Sequence, residues 1–414
     1  MQAKGDLGLI ATNTVAQGDT REVGLDAMVA DGFTITRAIQ SRCWPAASAN
    51  LEYAAVWGTL GDPAEGVPRV ADEIEVHVIS TLLEPAGRTD GKPLRLPENS
   101  GLGFIGCYVL GMGFVLDPSE AQEWIAADAH NAEVLFPYLN GEDLNSRPDA
   151  SAARWVIDFN DWPEERARDF AIPYARVSER VRPERQRKQP NGEYVLRRPL
   201  PERWWQYGDK RPALRRAIAD LPEVLVIALV SNAVMPVRVP TGQVFSHKLG
   251  VFATGSYVDQ AVLSSALHQL WVVKYTSTLG AGINYSPSDV FETFPRPDSS
   301  ADVESVGHRL DGERREIMLR RGIGITKLYN RINDASLTSA SDPDVARMRE
   351  LHVDLDRTVL DAYGWSDIVP AHGFHLQKKM ERWTVYRTAQ LEILDRLLEE
   401  NHRRASEQVS ADRI

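Results

Sequence analysis

The stretch Pro137–Pro148, PYLNGEDLNSRP, constrains this chain most, because it separates two apolar-patterned regions with a polar, acidic, turn-rich segment. Asn140-Gly141 is a strong turn signal: glycine accepts a positive φ and asparagine tolerates one. Glu142 and Asp143 follow, and Asn145-Ser146-Arg147-Pro148 is a second breaker. Such a composition most often marks a solvated loop between domains. The alternative is a joint that sets a binding domain at a fixed angle to a second domain.

A chain of 414 residues has room for two or three domains. Residues 1–130 read as α/β: Leu7–Thr12 as a buried strand, Gly24–Ala30 as a short helix, and Phe33–Ile39 and Leu51–Trp57 as strands. A chain that opens on a buried strand needs another layer to bury it against. Asp117 and Pro118 suit a helix start, running to about Ala127. Residues 131–297 mix strands (Arg154–Phe159, Val224–Val230, Leu249–Phe252) with an apolar-faced helix over Gln260–Tyr275. Residues 298–414 carry helical periodicity over Val303–Gly322, Pro343–Tyr363 and Thr384–Arg404, as in a bundle. The expected fold class is therefore α/β plus α.

Several functions are excluded or disfavoured. No run approaches the ~18 apolar residues that span a membrane, so no membrane partner is expected. Met1–Gly5 has no apolar signal core, so export is not expected either. Cys43 and Cys107 are too few for a disulfide framework, and no cysteine–histidine spacing suggests a metal. A reduced, cytoplasmic setting and no metal site are the expectations. Gly101-Leu-Gly-Phe and Gly111-Met-Gly-Phe fit neither GxGxxG nor a P-loop and read as tight strand turns. No Ser/His/Asp, Cys/His or HExxH arrangement is present, and His268 within its helix reads as packing or surface.

Charge points to a polyanion. The net charge is −11, yet Arg176 to Arg216 holds 13 Lys/Arg against 5 Asp/Glu, a local +8 on a body of −19. Cations there interleave with Tyr194, Trp204, Trp205 and Tyr207, a mixture suited to phosphates and stacking. The plainer readings are a solvated arm and at least one tryptophan in the core. Trp44-Pro45, between two strands, could hold a base taken out of its stack; a buried core tryptophan is the even alternative.

Taken together, Gly8–Asn13, Gln17–Glu22, Trp44-Pro45, PYLNGEDLNSRP, Arg154–Phe159, Arg203–Tyr207, Tyr285–Asp289 and Phe291–Pro295 resemble the MmeI-like family. Gly322–Asn330, Ala362–Trp365 and Ile393–His402 resemble its later helices. These are type IIL restriction–modification enzymes acting in phage defence, with nuclease, N6-adenine DNA methyltransferase and target recognition domain in one chain. The methyl-donor loop and the Asn-Pro-Pro-aromatic motif of that family do not occur in these residues. The resemblance implies the tail of a Rossmann-like class I methyltransferase sheet over 1–130, a mixed α/β target recognition domain over 131–297, and a helical brace over 298–414. S-adenosyl-L-methionine is the cofactor of the intact family enzyme, and binding by this chain alone is not expected. The implied partners are double-stranded DNA and a catalytic half.

By that resemblance Trp44 and Pro45 would pack on the flipped adenine, and Gln17 and Arg21 would lie near DNA. Base reading is expected from Ser246-His247-Lys248 and from Thr276–Ser286, with His247, Lys248, Thr276, Ser277, Asn284 and Ser286 as the contacts. Arg182, Arg185, Arg187, Lys188 and Arg203 would take phosphates, with Trp205 stacking beside them. Tyr138, Asn140, Asp143 and Asn145 would fix the recognition domain against the methyltransferase remnant. The chain alone would then be a sequence-reading DNA module without a complete catalytic site. The alternative is a non-enzymatic module binding RNA or an acidic protein through residues 176–216.

Overall fold

The structure, a computed structural model, describes residues 5–16, 18–44, 52–85, 91–231, 233–276, 278–279, 282–377 and 380–411. The chain divides into two compact units. One comprises Met1–Lys92 with Leu391–Glu399, the other Pro93–Gln390 with Glu400–Ile414. The fold is mixed α/β, and no helix of the described residues is long and apolar enough to cross a membrane.

The first unit is built on a five-stranded sheet. Its strands are β1 (Asp6–Thr12), β2 (Phe33–Cys43), β3 (Glu52–Leu60), β4 (Arg69–Ala71) and β5 (Ile74–Val76), in spatial order β1-β3-β2-β4-β5. β3 is antiparallel to both β1 and β2, so those two run parallel with β3 between them. The alternation in β2 slips between Ile35 and Arg37, a bulge that turns Ala38 inward and leaves Arg37 outside. Phe33, Ile35, Ala38, Ala54 and Val56 form the core face, covered by Leu25. β1 departs from its expected burial. It is an edge strand, with Leu9 exposed and Ile10 59% exposed.

The second unit continues with β6 (Gly103–Ile105), β7 (Val115–Leu116), β8 (Leu135–Leu139), β9 (Arg154–Ile157), β10 (Glu223–Ala228), β11 (Val230–Ser231), β12 (Val237–Pro240), β13 (Val244–Phe245), β14 (Leu249–Phe252), β15 (Thr278–Leu279) and β16 (Gly282–Asn284). They form sheets β12-β10-β14-β6, β13-β8-β9-β7 and β11-β16-β15. The compact units part at 92/93 rather than at 130, because β6 pairs with β14 and β7 with β9. The C-terminal region holds helices Ala301–Arg321, Ile325–Ile332 and Pro343–Ala362, then a hairpin of β17 (Gly373–Gln377) and β18 (Met380–Thr384), then helix Arg387–Ala411. That hairpin interrupts the purely helical region read from the sequence.

PYLNGEDLNSRP lies inside the second unit and holds a helix rather than a turn. Asn140 caps helix Gly141–Ser146, its Oδ1 accepting from Glu142 N at 2.8 Å and Asp143 N at 3.0 Å. Its Nδ2 donates to Asp143 Oδ2 at 2.8 Å, and the same carboxylate oxygen accepts from Ala153 N at 3.1 Å. Burial raises the Asp143 carboxyl, an effect the Ala153 N–H and the Arg147 cation offset in part. Tyr138 lies in β8, opposite Val244 and Arg154. A Cβ on Gly324 would lie 2.5 Å from Asn145 O, so that glycine lets the next helix start directly against this segment. The stretch is a docking block between β8 and the C-terminal helices of its own unit.

Asp342 joins three of those helical segments. Its side chain caps helix Pro343–Ala362 at Val345 N (3.3 Å) and takes Arg321 Nη2 at 2.6 Å and Arg331 Nε at 3.1 Å. Burial alone would raise this carboxyl, but the two guanidinium groups override it and hold it down to about 2.

Candidate nucleic-acid interface

The segment Cys107–Leu110 organises the site. Cys107 N donates to Phe245 O at 2.7 Å, His247 N donates to Cys107 O at 2.8 Å, and Tyr108 pairs with Asp209 through two 3.0 Å backbone bonds. The basic arm therefore leaves on one side of Tyr108 and the 246–248 tip sits on the other.

On the tip side, one residue joins the two loops singled out in the sequence. Leu229 N donates to Lys248 O at 2.9 Å, and Leu229 O accepts from Tyr285 N at 2.7 Å. Val230 then pairs with Asn284 across β11 and β16, and Thr276 Oγ1 donates to Asn284 O. His247, Lys248, Asn284, Ser286 and Thr276 thus share one backbone-built ridge. Ser277 lies outside the described residues. The His247 ring meets Tyr108 edge to face, 4.7 Å between centroids, and Tyr108 is 42% exposed. Burial lowers the His247 imidazole, and the Lys248 and Arg211 cations lower it further, so it is neutral near pH 7. The base of the ridge is firm: Tyr285 and His268 are buried, and Tyr285 Oη lies 3.2 Å from His268 Nε2.

On the arm side the structure overturns two assignments. Arg185 is 1% exposed and cannot reach a phosphate. Its Nη1 donates to Gln206 O at 2.6 Å, its Nη2 to Val109 O at 3.0 Å and Leu110 O at 2.7 Å. Burial without a carboxylate partner at bonding distance pushes this guanidinium down to about 10. Trp205 is also buried, with Nε1 donating to Trp162 O at 2.9 Å, so it offers no ring to a base. Trp204 and Tyr207 are core residues too, and Tyr207 Oη donates to Ile157 O at 2.8 Å. Arg203-Trp-Trp-Gln-Tyr207 is a packing motif, because large aromatics contribute more in a core than in water. Arg182, Arg187, Lys188 and Arg203 remain exposed on the surface pinned by Arg185. Arg182 lies over the Trp204 ring and Lys188 over Tyr194, each 5.4 Å from the centroid.

The first-unit candidates are described by themselves. Trp44 is 41% exposed and meets Tyr53 edge to face at 5.4 Å, and Arg21 pairs with Asp26 at 3.2 Å. Gln17 and Pro45 lie outside the described residues. Among the described residues no group of three or more His, Cys, Asp or Glu could hold a metal. Tyr108 was not among the residues singled out from the sequence, and Arg211, read only as one cation of the basic stretch, lies close enough to lower the His247 imidazole.

Residues 108–298 match the family model of the MmeI target recognition domain, and they include the arm, Tyr108 and the ridge. Those residues therefore carry an MmeI-like target recognition domain. In fold the chain resembles the solved structure of the type IIL restriction–modification enzyme MmeI in complex with DNA. That match has a TM-score of 0.56 at 16% identity and covers 97% of this chain and 50% of MmeI. The chain therefore spans half the length of that enzyme. The type IIG restriction endonuclease BpuSI matches at a TM-score of 0.32 and 10% identity, over 87% of this chain and 48% of that one. No curated protein matches the chain.

Proposed function

We propose that this chain is the sequence-reading DNA module of an N6-adenine methyltransferase of the restriction–modification kind. The observation that supports this reading is the main-chain linkage through Leu229 and Val230, which ties the segments carrying His247, Lys248, Asn284 and Ser286 together within the region matching a target recognition domain. Lysine, asparagine and neutral histidine supply the donors and acceptors that base edges require. Arg182, Arg187, Lys188 and Arg203 supply sequence-independent phosphate contacts and salt dependence.

The first unit is read as the end of a Rossmann-like methyltransferase sheet. Support comes from β3, inserted antiparallel between two parallel strands, and from β1, whose outer edge pairs with no strand among the described residues. An edge strand with exposed Leu9 and Ile10 suits pairing with a further strand, here assigned to a catalytic half. The second-unit glycines tested as a donor cradle do not fit one. Gly103 abuts the Phe291 ring, Gly106 the Ser246 backbone and Gly113 Arg180, so packing consumes them. S-adenosyl-L-methionine and the methyl transfer are therefore assigned to the catalytic half. Trp44 is kept as the base-facing aromatic of the first unit, and the C-terminal helices as a brace.

The test is a titration of the chain against randomised duplex DNA at several salt concentrations, with selection and sequencing of the bound fraction. A defined bound sequence and a falling log K with log salt are expected. Binding that is blind to sequence, or equal affinity for RNA, overturns this reading and favours the interaction-module alternative.

A further inference from the structure

A cleft of about 410 Å³ lies in the second unit, between β8, the end of β9, helix Pro212–Ala217 and the turn before β13. The ridge does not use it. Its volume falls in the ~300–1,000 Å³ range of small-ligand sites. Its floor is apolar and partly aromatic, with Phe136, Leu214, Ile218 and Phe245.

The polar wall is a buttressed arginine. Asp158, 4% exposed, accepts from Arg215 Nη2 at 2.6 Å through Oδ2 and from Asn160 N at 2.8 Å through Oδ1. Arg215 Nε donates to Lys210 O at 2.9 Å. Arg215 Nη1 has no bonded protein partner among the described residues, and the side chain lines the cleft at 29% exposure. Gln243 donates through Nε2 to Pro240 O at 2.8 Å, which leaves its Oε1 as an acceptor at the rim. The Asn160 amide offers both a donor and an acceptor.

This arrangement selects for chemistry. The Asp158–Arg215 pair is already neutral overall, so a phosphate or carboxylate gains no unpaired cation and meets the buried Asp158 carboxylate. A flat, uncharged ring covers the Phe136 floor. A ring edge with an acceptor beside a donor matches Arg215 Nη1 and Gln243 Oε1, as arginine and glutamine match base edges. We infer that this cleft binds a nucleobase. The base comes either from a free nucleoside or from an unstacked position in DNA, and only the second source rests on the DNA-binding reading above.

The experiment follows 2-aminopurine fluorescence with the full chain. One arm titrates 2-aminopurine riboside, and the other a duplex carrying 2-aminopurine opposite an abasic site. Saturable change is expected in at least one arm: the first identifies a free nucleoside, the second alone an extrahelical base. Gly242→Phe should fill the mouth. Gly242 lines the cleft, a Cβ there would meet no heavy atom within 4 Å, and its φ lies outside the left-handed region, so the fold tolerates the ring. That variant should weaken the response at least about tenfold with an unchanged melting temperature, and Gln243→Leu should weaken it several-fold. The inference is overturned if neither arm responds, or if Gly242→Phe responds like the parent chain. The riboside arm contains no DNA, so its result stands apart from the sequence-selection titration.

Discussion

The basic arm and the recognition ridge look alike in sequence, since both mix cations with aromatic and polar residues. In the fold they are opposites. The arm buries three of its aromatics and one arginine, so Trp204, Trp205, Tyr207 and Arg185 hold a surface on which other cations stand. The ridge rests on buried Tyr285 and His268 and is fixed by main-chain bonds through Leu229. Side chains on a main-chain scaffold can be exchanged with little effect on the fold. Side chains that form the scaffold cannot. Under the proposed function, this contrast would give general affinity to the arm and sequence choice to the ridge.

The largest expected effect tests the arm's dual character. Arg185→Ala removes a guanidinium bonded to three carbonyls and leaves Gln206 O, Val109 O and Leu110 O without that donor. At about 1–3 kcal/mol per buried unsatisfied group, the loss should be at least about 3 kcal/mol. Urea denaturation measures it. An Arg185→Ala chain of parental stability but weaker DNA binding would restore the phosphate role and erase the contrast.

Next is the ridge itself. Asn284→Ala removes a side-chain amide from the strand that pairs with β11. It should relax the choice of base at one position of the bound sequence by about 1–3 kcal/mol. Selection from a randomised duplex pool reads this directly. A uniform loss across all sequences would move Asn284 from reading to positioning.

The support beneath the ridge has a pH signature. Burial pushes the His268 imidazole down to about 4, below an unfolded value near 6.5. The unfolded chain therefore binds more protons between those values. The His268 contribution is complete above about pH 6.5 and is lost as pH falls toward 4, at roughly 1.4 kcal/mol per unit. His352, also pushed down to about 4 by burial, adds a second such slope. Replacing His268 with Phe should flatten the profile by one group. An unchanged profile in that variant would place the acid sensitivity elsewhere.

Local signals carried far in this chain. Asp117 and Pro118 mark the helix Pro118–Ala127, and the alternation of Phe33–Ile39 marks β2, although not its bulge between Ile35 and Arg37. Legibility failed where burial depends on distant segments. Arg185 is a core residue because residues 109, 110 and 206 meet around it, and no local pattern encodes that. Asn140-Gly141 signals a turn and a helix cap equally well, and Asp143 with Ala153 decides for the cap. The hairpin β17–β18 was hidden because its few residues sit between two strongly periodic helices. The ridge was legible as two separate loops. Their union through Leu229 is tertiary.

The smallest effect is the most discriminating. Arg187 is exposed, and a substitution there removes charge without touching the core. Arg187→Ala should hold stability within about 0.5 kcal/mol, leave the selected sequence unchanged, and lower the slope of log K against log salt by about 1. The paired measurement is a salt titration on the selected duplex and on an unrelated one. Equal weakening on both assigns Arg187 to phosphate. Weakening confined to the selected duplex would mean that the arm also reads bases, and the division between arm and ridge would then be one of degree.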